Sequence, residues 1–142
     1  MAETAQHREV TIERLHTGRY VARNGRGGEL EFATGDVPDF TPVELLLVAI
    51  GGCTGVDVDF VTSRRAEPEE FVISVGAEKV KNDAGSILED IVLTVRARFP
   101  QGEAGDQARK VLPEILKRSH DRLCTVSRTV EHGRTVTVRT ES

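Results

Sequence analysis

Little in this sequence is basic and clustered, little is aromatic, and nothing is apolar for long without interruption. Aromatic residues make up 4% of the chain and the formal net charge is -4, so no basic cluster with interleaved aromatics exists to grip nucleic acid or an anionic membrane surface. The longest unbroken apolar run falls far short of the roughly 18 residues that cross a bilayer. Met1-Ala2-Glu3-Thr4 has no charged-then-apolar signal pattern. A cytoplasmic home is expected, with a small molecule or another protein as partner. The turn Asn24 to Gly28 lacks the spacing and the Lys-Ser/Thr of a phosphate-cradling loop, and there is no Gly-x-Ser-x-Gly. No repeat or low-complexity segment appears. The 2 cysteines, Cys53 and Cys124, have no CxxC partner. A metal site from Cys53, Cys124, His120 and an aspartate is a minor alternative, because no close-set ligand pair has zinc-finger spacing. His7, His16 and His132 read as surface residues. In a reducing compartment two such cysteines are more often free, metal-bound or redox-active than a permanent staple.

What is there is one helix of unusual character. With 142 residues the chain is expected to form a single domain over 1–142. Thr41 is a natural N-cap, Pro42 suits the first helical position, and Glu44 sits where a capping-box carboxylate reaches back to the cap. From Leu45 to Gly51 no polar stripe interrupts the helix, so sheet or a partner subunit should cover it on several faces. Gly51 and Gly52 each cost roughly 1 kcal/mol against alanine inside a helix. They imply close approach of another backbone.

Around this helix the alternation predicts strands over Glu9–Leu15, Arg19–Arg23 and Gly28–Phe32, with Asn24 to Gly28 as the second turn. Gly35 to Phe40 is a loop. The helix should run to about Arg65 before Ala66-Glu67-Pro68 stops it. Phe71–Val80 and Ile87–Phe99 form a hairpin about Asn82-Asp83-Ala84-Gly85. A second helix over roughly Asp106–Leu123 puts Ala108, Val111, Leu112, Ile115 and Leu116 on one face, with Pro113 able to bend or split it. A last strand, Thr135–Thr140, follows a turn at Glu131-His132-Gly133. The fold class is α+β, in the order of three strands, buried central helix, two strands, helix, strand.

Cys53 lies in the apolar helix after the glycine pair, and Cys124 stands among His120, Asp121, Arg122, Thr125 and Ser127. As buried small hydrophobes they would be inert; as a reactive pair they need help, since a thiol with pKa of about 8.5 is only a few per cent thiolate at neutral pH. A nearby arginine would supply it. Arg26, in the glycine-rich turn, is the best placed, an exposed hairpin arginine being the plainer alternative; Arg19, Arg23 and Arg122 stay open. Glu44 is either a capping residue alone or an arginine's partner. Nine helical positions put Glu44 and Cys53 about 180° apart around the axis and roughly 13 Å apart along it. Any joint site of the two should therefore form across a dimer interface. Asp57, one turn after Cys53, would raise the thiol's pKa if it faced it, and is expected to point to solvent or an arginine.

Pro42-Val43-Glu44-Leu45 leading through small residues to Cys53, then Cys124-Thr125-Val126-Ser127, resembles the OsmC/Ohr family of osmotically induced and organic hydroperoxide resistance proteins. The resemblance covers roughly Glu9 to Thr140. It implies an intertwined α+β homodimer with thiol peroxidase activity on organic hydroperoxides, no cofactor, and an external dithiol as reductant. By the same resemblance Cys53 is the peroxidatic cysteine that forms a sulfenic acid and Cys124 the resolving one, with Arg26 the catalytic arginine and Glu44 its glutamate. Two departures stand out. Val43 occupies the place where the family's glutamate usually follows the proline, and Thr125-Val126-Ser127 stands where the hydroperoxide-resistance branch commonly has Pro-Tyr-Ser. The chain is therefore more similar to a less characterised OsmC-like branch. Other readings are a non-catalytic dimer that binds an apolar small molecule at the subunit interface, and a redox sensor.

Overall fold

The computed structural model describes residues 3–141. They form two compact units that divide inside the long helix, between Leu46 and Leu47.

The first unit is an antiparallel meander of β1 (Thr11–His16), β2 (Arg19–Arg23) and β3 (Glu29–Ala33). Its register pairs Tyr20 with Phe32, and the two rings stack with centroids 5.4 Å apart, a contact that helps fix which residues face one another. Val21, Phe32 and Ala33 are its buried residues, while β1 is exposed along its whole length. In the turn from β2 to β3 the Asn24 carboxamide oxygen accepts the backbone N–H groups of Arg26 at 3.0 Å and Gly28 at 2.9 Å.

Helix α1 (Pro42–Thr62) begins as the sequence requires. Glu44 Oε1 accepts the Thr41 N–H at 2.9 Å and Thr41 Oγ1 accepts the Glu44 N–H at 3.2 Å, the reciprocal pair of a capping box. At 21 residues the helix is long and apolar enough, by length and composition, to cross a membrane. Its burial is that of a core helix with one covered stripe, Ile50, Gly51, Thr54, Val58 and Thr62. Cover on several faces is therefore not what a single chain provides.

The second unit continues with β4 (Glu70–Asn82) and β5 (Gly85–Arg98), a long antiparallel hairpin. Asn82 Oδ1 accepts the Ala84 N–H at 2.8 Å and pins its turn. A bulge between Gly76 and Glu78 is accompanied by Asp90 at φ 52, a left-handed conformation that Asp tolerates. A Cβ on Gly51 would come 2.7 Å from Val75 Cγ2, and one on Gly55 2.8 Å from Ile73 Cδ1. The missing side chains let α1 lie close on β4. Gly52 is different, because nothing lies within 4 Å of where its Cβ would be. The glycine pair thus serves two faces, and only Gly51 meets its own chain.

Helix α2 (Glu103–Arg118) buries Ala108 and Ile115 on the expected face and runs through Pro113 without splitting. Acidic Glu103 and Asp106 open it and basic Lys117 and Arg118 end it, complementing its dipole. It then widens into a π turn over Ser119–Leu123, closed by the Cys124 N–H on Ser119 O at 2.8 Å. Helix α3 (Thr125–His132) follows, capped by Cys124 and ended by Gly133 at φ 64. The turn expected at Glu131-His132-Gly133 is where this helix ends, and the sequence pattern assigns no element to Thr125–Val130. The expected strand over Thr135–Thr140 is not formed among the described residues: the segment pairs with nothing, and Val136 and Val138 are 86% and 85% exposed. Its alternation of Thr, Val and Arg suits a strand, but a strand needs a neighbour to bond.

Candidate active site

The second unit brings Cys53 and Cys124 together. α1 supplies Cys53, half-buried, and the junction between the π turn and α3 supplies Cys124, fully buried; both are free thiols, and each bears on the ionisation of the other. One long-range contact holds the supporting elements: the Ser119 hydroxyl, itself fully buried, donates to Asp57 Oδ2 at 2.7 Å. Asp57 stands one turn after Cys53 and Ser119 five residues before Cys124, so this bond ties the two cysteine-bearing segments. Asp57 accepts a buried hydroxyl rather than turning to solvent or an arginine.

The environments of the two sulfurs differ. Cys124 is the N-cap of α3, and its sulfur accepts the Ser127 N–H at 3.4 Å and lies 3.3 Å from Ser127 Oγ. Burial pushes its pKa up, but hydrogen bonding with Cys53, with the Ser127 side chain and N–H and with Thr54 holds it below the ordinary thiol value. Cys53 goes the other way. Burial raises its pKa, the bond to Cys124 raises it further, and the negative charge of Asp57 adds to this against one favourable backbone bond from Val126. Asp57 acts on Cys53 in the direction its helical spacing predicts.

The arginines named from the sequence are held as follows. Arg19 pairs with Asp39 at 2.8 Å and Glu31 at 3.4 Å, and Arg23 with Glu29 at 2.7 Å and Glu13 at 3.3 Å. Arg26 sits in the exposed turn from β2 to β3, and Arg122 lies in the π turn beside a small surface cleft lined also by Arg128 and Arg134. Arg19, Arg23, Arg26 and the capping residue Glu44 belong to the first unit, the cysteines to the second. The groups acting on Cys53 are Cys124, Val126 and Asp57, and none is a cation.

Beside the pair is a cavity of about 330 Å³. Ile50, Ile91, Leu93, Val95, Leu116 and Val130 form its apolar wall. Its polar lining is Thr54, Ser127, His120 and Glu131. Of these, Ser127 is hydrogen-bonded to the Cys124 sulfur through both its N–H and its hydroxyl oxygen. His120 Nε2 lies 2.6 Å from Glu131 Oε1, and this bond, with a second to Asp121, raises the imidazole's pKa above its ordinary value. Sequence reasoning did not find the roles of Thr54 and Glu131. A Cys-x-x-Ser at a helix start is the signal that would have placed Ser127, since it repeats the spacing of a cap and its N3 partner. Among the described residues no group of His, Cys, Asp and Glu side chains could hold a metal ion.

Comparison with known proteins adds the context. The family model for OsmC-like proteins matches residues 33–139. An uncharacterised protein of Mycobacterium tuberculosis is 30% identical over 131 residues, covering 90% of this chain and 92% of its own length. Among solved structures, a hypothetical protein from Aquifex aeolicus superposes with a TM-score of 0.71 at 24% identity, over 90% of this chain and 89% of that one. The organic hydroperoxide resistance protein OhrB of Bacillus subtilis superposes with a TM-score of 0.52 at 14% identity, over 88% and 90%. At such identities these structures speak to the fold.

Proposed function

We propose, on the premise that this chain belongs to the OsmC-like protein family, that it is a thiol-dependent peroxidase of organic hydroperoxides. The observation that carries the reading is the pair of free thiols, brought from separate elements and each bearing on the other's ionisation, beside an apolar cavity. One thiolate attacks the terminal peroxide oxygen, an alcohol leaves, and the second thiol condenses with the resulting sulfenic acid to give a Cys53–Cys124 disulfide and water. An external dithiol restores the pair. The apolar wall favours an organic over an inorganic peroxide, because alkyl surface gains roughly 25 cal/mol per Å² on burial. Free thiols suit a reducing compartment such as the cytoplasm.

The reading includes a homodimer. α1 leaves Val48, Val56 and Phe60 exposed at 52%, 60% and 65%, and these fall with Gly52 on one stripe at intervals of four. An apolar stripe with a glycine at its centre suits a second copy of the chain, whose backbone could come close at Gly52.

The test mixes reduced protein with cumene hydroperoxide and titrates thiols. Loss of both thiols with release of cumyl alcohol is expected; a folded chain that keeps them both is not a peroxidase. A second reading, a dimer that holds an apolar small molecule without reacting, draws on the cavity being lined by partners of Cys124 and by neither sulfur. Native mass spectrometry of freshly purified protein would then show a retained ligand, and the thiols would be inert.

A further inference from the structure

Arg122, Arg128 and Arg134 stand six residues apart in sequence, a spacing that on one continuous α-helix would aim them in three directions about 120° apart. The structure gathers them instead. Arg122 comes from the wider π turn, Arg128 from α3, and Arg134 from just past Gly133, which ends the helix at φ 64. With Thr125, Thr129 and His132 they line one surface cleft of about 140 Å³. We propose that this cleft binds a phosphate group, either free or carried on a small phosphate monoester.

Three observations support it. No carboxylate lines the cleft, and among the described residues Arg122, Arg128 and Arg134 make no ion pair, whereas Arg19, Arg23, Arg96, Arg98 and Arg109 each meet an acidic side chain. Unneutralised arginines held together repel one another, and a bound anion relieves that repulsion. The donors are also uncommitted. Among the described residues the guanidinium groups of Arg122 and Arg128 make no hydrogen bond, and Arg134 gives only one N–H, to Gly133 O at 2.8 Å. Thr129 donates its hydroxyl proton to Thr125 O at 2.7 Å, which leaves Thr125 as the hydroxyl donor. The third observation is the shape of the cluster. Guanidinium forks converging from three segments suit a tetrahedral dianion, whose oxygens point several ways, better than a carboxylate with two oxygens in one plane. No aromatic side chain lines the cleft, so a nucleic-acid base has nothing to stack on.

The position gives the site a structural consequence. Thr125, Arg128, Thr129 and His132 recur at i, i+3, i+4 and i+7 and so share one face of α3. Ser127, Val130 and Glu131, on the opposite face, line the apolar cavity, and the helix is capped by Cys124. A phosphate bridging the three arginines ties the π turn, α3 and the segment after it into one unit, and thereby steadies the helix that carries part of the cavity wall. Binding involves no thiol and no peroxide, so it stands apart from the peroxidase reading.

The experiment follows backbone amide NMR shifts of the isotope-labelled protein during titration with inorganic phosphate, and with sodium chloride at matched ionic strength and pH. Saturable shifts centred on residues 122–134 are expected with phosphate and not with chloride. Arg128→Gln should weaken the affinity on the order of tenfold, since a hydrogen bond to a charged group is lost. Arg128→Lys keeps the charge but not the fork and should recover only part of it. Arg118→Gln, at an exposed arginine outside the cleft, should bind as the unsubstituted protein does. Should Arg128→Gln disturb α3, Arg134→Gln, beyond the helix, carries the same expectation. A second titration uses glycerol phosphate: tighter binding than inorganic phosphate assigns the site to a phosphate monoester, and equal or weaker binding assigns it to free phosphate. Shifts that follow ionic strength alone, acetate binding as tightly as phosphate, or an affinity unmoved in both Arg128→Gln and Arg134→Gln would each overturn the proposal.

Discussion

Replacing Ser119 by alanine should loosen the link between the two cysteine-bearing segments, and its size can be worked from the Ser119–Asp57 contact. The hydroxyl is fully buried and donates at 2.7 Å to a half-buried carboxylate. A hydrogen bond to a charged group contributes roughly 1.5–3 kcal/mol net, and the partial exposure of Asp57 places this one toward the lower end. For a chain of about this size each kcal/mol moves the melting temperature by roughly 2–4 °C, so Ser119→Ala should melt several degrees lower. A double-mutant cycle with Asp57→Ala, measured by urea unfolding, isolates the bond from the cost of each truncation. The expected coupling is above about 1 kcal/mol. Additivity within about 0.5 kcal/mol would show that the contact does not tie the segments and would refute the reasoning. The same pair has a chemical readout. Asp57→Asn removes a negative charge one turn from Cys53 while keeping an acceptor, so the Cys53 thiol should titrate lower than before. No movement of that titration would mean the carboxylate does not face the sulfur.

Three further outcomes follow from other residues. Thr41→Ala removes one half of the capping box and should cost about 1 kcal/mol in chemical denaturation. Gly51→Val would drive a side chain into Val75 and should destabilise the fold by about 1–3 kcal/mol, whereas Gly52→Leu, with open space around it in the single chain, should shift sedimentation toward monomer under the proposed pairing of two copies through this stripe. His120 has its pKa raised above the ordinary histidine value of about 6.5 by Glu131 first and Asp121 second, so its contribution is complete below about that pH and is lost as pH climbs through the raised value. Stability should therefore fall slightly over that window, by under about 1 kcal/mol for so exposed a pair, and the slope should vanish in Glu131→Gln by thermal melts at stepped pH.

The parts legible in the sequence were those decided locally. Thr41, Pro42 and Glu44 specify a helix start within four residues, and the cap formed as the residue types demand. Asn82 to Gly85 likewise names its own turn. Helix α3 was hidden because Thr125, Val126, Thr129 and Val130 are β-branched and weak helix formers, while its cap is a cysteine, an uncommon choice. The Thr135–Thr140 alternation misled for the opposite reason: it carries strand propensity, but strand formation depends on a partner that lies elsewhere in sequence or in another chain. At the site, the two cysteines could be named from sequence, yet their surroundings could not. Ser119 and Ser127 are small hydroxyl residues whose meaning depends on what is folded against them.

The π turn before Cys124 holds one residue more than an α-helical turn would close, its final N–H reaching back five residues to Ser119. Deleting a single residue from Arg122 or Leu123 would let the helix revert to ordinary winding and swing the thiol by about 100° around the axis. The direction in which Cys124 points is thus set by chain length over one turn, and a one-codon deletion would disarm the pair while every reactive side chain remained in the sequence.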